Sequence, residues 1–357
     1  MGIADEKPSA GATDRGRGSV LGWVVPLLAD YVKAQGHDPA PILQQPGIRE
    51  SDLKDPDVRV PETESREAWR LAMATTKDEA IGLHVAEWLP RGSLDLVEYA
   101  FRNSGTLADG LNRLARYGRL INDRLAVHVL ATGPGVRFVM GAADAKPLHP
   151  QRVEFSIALA LRLARQATGA HLVPVEVLFA HAAPADPTEH HAFFRSPIHF
   201  SSSVNGMVFQ DADGARALQS ADPALGAIIR RRLEKALEQL DKLDGPAGGA
   251  TSIAARVRRL LFDGMGKDKQ SVTTIGREMG LSARTLSRRL AEEGTSFRDI
   301  HDEVRHQQAM VLLGDPSVSI GEVAFTLGYS ESAPFHRSFK RWTGTTPQLH
   351  RRAILAG

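Results

Sequence analysis

Residues 272–294, VTTIGREMGLSARTLSRRLAEEG, and residues 319–344, SIGEVAFTLGYSESAPFHRSFKRWTG, decide the fold because they are two copies of one motif. A helix-turn-helix needs a small residue where its helices cross, a glycine for the tight turn, and apolar residues facing a shared core. In the first copy Gly276 is small, Gly280 turns the chain, Ile275 and Met279 face inward, and Ser282 caps a helix anchored by Leu286 and Leu290. In the second, Ala324, Gly328, Val323 and Leu327 take those places, and Phe335 and Phe339 replace the leucines. The turn glycines are 48 positions apart (328 − 280) and the anchors 49 (335 − 286), so the second copy has one extra residue between turn and second helix.

Between the copies, SFRDIHDEVRHQQAMVLLGDPSVS supplies Phe297, Ile300, Val304, Met310 and Leu313 for a connecting helix that stops near Gly314 and Pro316. Two second helices held about one duplex repeat apart, roughly 34 Å, suit successive major grooves of double-stranded DNA. On the first, Arg284, Ser287 and Arg288 lie opposite the leucine anchors. Arginine grips guanine O6 and N7 with two hydrogen bonds, so this face is expected to read bases. Ser332, Ala333, His336 and Arg337 occupy the corresponding face of the second helix, while Arg289, Lys340 and Arg341 are expected at phosphates. Proline deep inside a helix costs about 3 kcal/mol, so Pro334 predicts a late helix start with Ser332 as the cap. Charge agrees with an anionic partner. Residues 252–357 hold 16 Lys+Arg against 11 Asp+Glu, +5, leaving 28 against 31, −3, for residues 1–251 of a chain with net charge +2.

Working outward, LDGPAGGATS at 243–252 breaks any regular element, and a linker is placed over 244–252. Before it, residues 221–243 form a helix with Asp222 as N-cap and Pro223 at its first position. Ile229, Leu233, Ala236, Leu240 and Leu243 draw a 4-3-4-3 stripe, which suits either a short coiled coil joining a homodimer or packing on its own domain. Residues 20–220 read as an α+β domain. Leu107, Leu111, Leu114 and Leu120 mark a helix with Ser104 or Thr106 as cap, and ATGPG separates two strands as a hairpin whose glycines take positive φ. VEFSIALALRLARQATG is a helix ending at Gly169. Strands are expected in 171–184, pushed to a sheet edge by Pro174, and in 196–209.

No cysteine occurs in the 357 residues, which excludes disulfides, Cys-ligated metal and thiol nucleophiles. His171, His181, His190, His191 and His199 lack ligand spacing, with His190 and His191 projecting apart in a strand, so they are expected in loops or solvent and no metal is expected. Glu87, Asp95 and Glu98 read as surface carboxylates. His84, Trp88, His128 and Phe138 are candidate linings of an effector pocket. The first 19 residues are expected as a disordered tail without the apolar core of a secretory signal, and no apolar run is long enough to span a membrane. A cytoplasmic location is expected.

TLGYSESAPFHRSFKRWTGTTPQLHRR, 326–352, and LSARTLSRRLAEEGTSF, 281–297, resemble the AraC/XylS-type bacterial transcription regulators. The resemblance is strong over 253–352, which it makes an all-α double helix-turn-helix domain. It places Thr343 to Pro347 in a hinge and Trp342 in the core; Pro334 departs from the family's small or polar residue. Residues 20–220 resemble, more faintly, the subgroup with an arabinose-binding-like regulatory domain. The resemblance implies a transcriptional activator that meets RNA polymerase and answers a small-molecule effector, with no cofactor and no enzymatic activity. An enzyme with an appended DNA-binding domain and a ligand-independent DNA-binding protein are the alternatives.

Overall fold

The computed structural model describes residues 19–49, 53, 58–132, 135–142, 148–202, 204–243, 253–263, 270–314 and 318–356. The expected tail, apart from Ser19, and the expected linker over 244–252 lie outside these residues. Ser19 itself opens a strand, β1 (Ser19–Leu21), which pairs antiparallel with β2 (Arg59–Pro61); between them run α1 (Val24–Ala34) and the short α2 (Ala40–Leu43). Helices α3 (Glu62–Thr76), α4 (Ile81–Trp88), α5 (Asp95–Arg102) and α6 (Leu107–Ile121) follow. Thr106 caps α6 in a reciprocal box with Asp109.

The expected hairpin forms from β3 (Leu125–Thr132) and β4 (Gly135–Ala142), with Val127 opposite Met140 and Val129 opposite Phe138. Gly135 is not among the positive-φ residues; it starts a strand where a Cβ would meet the Phe209 carbonyl oxygen at 2.8 Å. Gly133 lies outside the described residues. Next come α7 (Pro150–Thr168), β5 (Glu176–Leu178), α8 (Thr188–Phe194), β6 (Ile198–His199), β7 (Asn205–Gln210) and α9 (Asp211–Gly214). Proline opens α7 and Gly169, at φ 66°, ends it. The strands make one sheet in the order β3-β4-β7-β5-β6, antiparallel except for β5 with β6. Contrary to the expectation from Pro174, β5 lies inside the sheet, because it begins two residues past the proline. One face, carrying Val127, Val136, Phe138, Met140, Val177, Met207 and Phe209, joins the apolar faces of α1, α3, α4 and α7 in the main core.

Two expectations for this α+β unit are corrected, and one left open is decided in part. His190 and His191 sit on α8 rather than a strand. His190 is fully buried, its Nε2 3.0 Å from Glu154 Oε1, and His181 Nε2 is 3.4 Å from the same oxygen, a partnership across 36 residues that spacing does not reveal. Glu98 is buried, accepting from the Gly92 backbone and pairing with Arg102 at 2.7 Å. On α10 (Pro223–Leu243), capped by Asp222 as expected, Ile229 and Leu233 of the expected stripe, together with Leu237, are buried against Val97, Ala100 and Tyr117, the own-domain packing offered as one of the two alternatives. Arg116 and Tyr117 bind Glu234 beside them at 2.6 and 2.8 Å.

The second unit is all helical: α11 (Ile253–Asp263), α12 (Val272–Glu278), α13 (Ala283–Glu292), α14 (Phe297–Leu313), α15 (Ile320–Thr326), α16 (Ser332–Thr343) and α17 (Pro347–Ala356). Helix α14 serves two cores. Ile300 and Val304 join Leu286, Leu290, Ile275 and Val257, whereas Ala309, Leu312 and Leu313 join Val323, Leu327, Phe335 and Phe339. At about 100° per residue, the second set lies roughly 120–220° round the helix from Ile300, so the two helix-turn-helix units dock on opposite faces of one rod.

Candidate nucleic-acid interface and effector cavity

Both turns are built from the same hydrogen bonds. In the first, Gly280 N–H donates to Arg277 O at 3.0 Å and Leu281 N–H to Gly276 O at 2.8 Å; in the second, Gly328 donates to Phe325 O at 2.9 Å and Tyr329 to Ala324 O at 3.0 Å. This is the Schellman ending, which needs the left-handed backbone that Gly280 and Gly328 supply at φ 68° and 77°. Four residues separate α12 from α13 and five separate α15 from α16, which accommodates the extra residue seen in the sequence.

Serine caps recur. Ser271, Ser282, Ser296 and Ser319 each accept from the backbone N–H three positions on. At α16 the pattern fails, and the expected cap Ser332 is corrected to Glu331, which makes no side-chain cap bond. The reason is Pro334: it stands three positions after Glu331, where the other helices offer an N–H and proline has none. Measured from its cap, each helix buries its anchors at the same places, Leu286 and Leu290 against Phe335 and Phe339. Ala333 therefore matches Arg284, His336 matches Ser287 and Arg337 matches Arg288.

The expected DNA face is open. Arg284, Ser287, Arg288, Ser332, Ala333, Arg337, Lys340 and Arg341 are exposed, and Arg289 and His336 are half-buried. Two of these cations have acidic neighbours that sequence reasoning missed. Arg288 Nη1 is 2.7 Å from Glu292 Oε1 one turn along α13, and Arg341 Nη2 is 2.6 Å from Asp302 Oδ2 on α14. The i,i+4 spacing signalled the first; the second is a tertiary contact. Glu293 accepts from the Ile253 and Ala254 N–H groups, tying the start of α11 to the end of α13. Trp342 packs against the core of the second unit, as expected.

The four residues offered for an effector pocket are not brought together. His84 Nδ1 is 2.7 Å from Asp78 Oδ2 and its Nε2 2.6 Å from Glu189 Oε2, while the half-exposed Trp88 stands edge-on to Tyr31. Asp78, which holds His84 by a hydrogen bond, raises its pKa against an opposing effect of burial. With both ring nitrogens committed to carboxylates, His84 fastens the start of α4 to α8. His128 alternates with Val127 on β3 and so faces away from Phe138; burial pushes its imidazole down to about 3.

Phe138 alone of the four lines a cavity of about 80 Å³ in the α+β unit. Its wall is mainly apolar, from Val24, Trp69, Val127, Phe138, Phe155 and Leu159. Three polar side chains interrupt it: Asn122, Arg152 and Ser156. The sequence held one signal for this. Arg152 sits three and seven positions before Phe155 and Leu159, on the inward stripe of α7 where a charge is out of place. Around Glu62, Arg124, Arg66 and Arg152 approach the carboxylate to 2.8, 3.5 and 3.6 Å.

Residues 36–218 match the family model described as the arabinose-binding domain of AraC transcription regulators, N-terminal, and residues 275–353 match a helix-turn-helix domain model. The chain belongs to the AraC family of transcription regulators. Among AraC-type relatives, the HTH-type transcriptional regulator VirS of Mycobacterium tuberculosis is 28% identical over 90% of this chain and 93% of its own length. The ornithine utilization regulator of Pseudomonas aeruginosa is 26% identical over 91% and 94%. A crystal structure of the transcriptional regulator CdpR from P. aeruginosa aligns over 92% of this chain and 98% of its own at 20% identity, with a TM-score of 0.44. In this AraC-family chain the helix-turn-helix unit is the DNA-binding part and the α+β unit the ligand-binding part. Among the described residues, no helix is long and apolar enough to cross a membrane.

Proposed function

We propose that this regulator reads one duplex with α13 and α16 in successive major grooves, and that a small molecule in the α+β cavity biases that engagement. The observation that carries the reading is the repetition itself: two turns with matching hydrogen bonds present exposed basic faces from one shared rod. Arg284, Ser287 and Arg288 read bases at one site, and Ser332, Ala333, His336 and Arg337 at the other; Arg289 and Lys340 hold phosphates. Arg341 reaches phosphate only after leaving Asp302.

An effector controls such a protein only if it prefers one arrangement of the chain, since equal affinity for two states shifts neither. Activation through RNA polymerase in the cytoplasm, without enzymatic turnover, follows from the family habit. A homodimer, if formed, uses a surface other than the buried stripe of α10. Selection of duplexes by the full chain, followed by anisotropy titrations of the selected and a scrambled duplex, tests the reading. Specific binding at least a thousandfold tighter supports it; equal affinity, with a salt slope set by phosphate contacts, marks a ligand-independent architectural binder instead.

A further inference from the structure

The α+β cavity carries an unused set of donors. Trp69 and Asn122 are essentially fully buried and the Arg152 side chain is 9% exposed. Trp69 Nε1, Asn122 Nδ2 and Arg152 Nη1 are each buried without a hydrogen-bond partner, and all three residues line the one cavity. The orientation of Asn122 is fixed by its other atom, since Oδ1 accepts from the Arg124 N–H at 3.1 Å, which leaves the amide hydrogens directed elsewhere. The unpartnered side-chain atoms of the residues lining the cavity are all donors, a condition native interiors avoid. Glu62 Oε1, itself buried without a hydrogen-bond partner, forms an ion pair with Arg152 Nη1 at 3.6 Å that is too long for a hydrogen bond, while Oε2 is held by Arg124 at 2.8 Å. Burial pushes the Arg152 guanidinium down to about 10, with Glu62 pulling it back. What the three donors lack is an acceptor within hydrogen-bond distance.

Building on the effector reading, we propose that the cavity binds a small monocarboxylate whose carboxylate is taken by Arg152, Asn122 and Trp69 and whose apolar tail lies against Phe138, Phe155 and Leu159. Arginine beside two neutral N–H donors recognises a planar carboxylate, and a charge-assisted bond of this kind is roughly twice as strong as a neutral one. Space sets the size. A cavity of about 80 Å³ is well beyond the size that holds a single water and has room for a short chain of non-hydrogen atoms. Pentanoate is a short chain of this kind, and an aldopentose, with four hydroxyls on five carbons in its ring form, would strand most of them against apolar wall.

The test titrates the full chain with pentanoate, 1-pentanol, pentylamine and arabinose by calorimetry, and repeats each titration on Asn122→Asp and Trp69→Phe. Asn122→Asp keeps the acceptor used by Arg124 and turns the donor into a competing carboxylate. The unliganded variant is expected to melt no lower than the native protein, while pentanoate binding falls at least tenfold. Trp69→Phe removes one donor and is expected to weaken pentanoate severalfold while leaving pentanol unchanged. Pentanol should bind at least tenfold more weakly than pentanoate, and pentylamine not at all. Equal binding of pentanol and pentanoate, no binding by any probe, or unaltered pentanoate affinity in Asn122→Asp overturns the carboxylate site. A parallel measurement of duplex affinity separates the two readings. If arabinose or pentanol shifts it and pentanoate does not, the carboxylate assignment falls and effector control stands; if pentanoate binds but leaves duplex affinity alone, control through this cavity falls and the site stands.

Discussion

Replacing Arg288 by alanine separates reading from folding, because the structure assigns this side chain almost no part in stability. It is 65% exposed, and its one ion pair, to a Glu292 that is 57% exposed, is of the i,i+4 surface type. Such a pair contributes about 0.3–0.5 kcal/mol, and alanine is the better helix former, so the net change in stability is expected within about 0.5 kcal/mol. Loss of a bidentate contact to guanine costs about 1–3 kcal/mol, which is about 5- to 150-fold in affinity. The two magnitudes barely overlap, whereas truncating Leu286, two residues earlier and fully buried, would cost about 2–5 kcal/mol of folding and confuse them. Fluorescence anisotropy at fixed salt on the selected duplex and its single-base variants, paired with thermal melts, reads both quantities. Arg288→Ala should weaken the selected duplex and relax one base position with an unchanged melt; Lys340→Ala should weaken every duplex alike and lower the salt slope by about 1. Equal loss across all duplexes for Arg288→Ala would refute its role as a reader.

Three further outcomes are expected. Glu331→Ser and Pro334→Ala should couple by about 0.5–2 kcal/mol in a double-mutant cycle of thermal or urea unfolding, since a serine cap gains its usual partner only when position 334 regains an N–H; strictly additive effects would remove the explanation offered for the missing cap. Phe339→Ala should cost about 3–5 kcal/mol in the core shared by α14, α15 and α16 and abolish specific DNA binding while calorimetry shows the transition of the α+β unit unmoved. His84 has a raised pKa, so the folded state holds its proton more tightly; its stabilisation is complete below about pH 6.5 and disappears as pH rises through the raised value. His149 and His301, pushed down to about 4 by burial, act with the opposite sign and cost stability as pH falls from about 6.5. The melting difference between wild type and His84→Gln should therefore shrink from pH 5.5 to 9, and a constant or widening difference would contradict the latch.

The helix-turn-helix pair was legible because its determinants are local. A glycine at φ 68° or 77°, a serine three residues before the N–H it caps, and anchors at fixed offsets all fall within a dozen positions. Even there, the helix starts one residue earlier than expected, with Glu331 at the cap, and Pro334 leaves that cap no N–H three positions on. Periodicity on α10 showed that a stripe is buried without showing against what, and the partner proved to be Val97, Ala100 and Tyr117 of the same chain. The histidines illustrate the same limit: His190 waits on Glu154 from another helix, and nothing in the run from 171 to 199 announces it. The cavity was the least legible feature. Trp69, Asn122 and Arg152 come from three separate segments, and of these only the arginine on the apolar stripe of α7 carried a local signal, which the sequence reading did not take up.

The central claim is that one protomer reads two grooves from one rod. Methylation protection on the selected duplex, with the full chain held at a one-to-one complex, tests it directly. The account predicts two protected major-groove segments about 10 base pairs apart on one face of the duplex, with a 5-base-pair insertion between them lowering affinity as much as deleting either segment. A single protected segment, or affinity indifferent to the insertion, would contradict it.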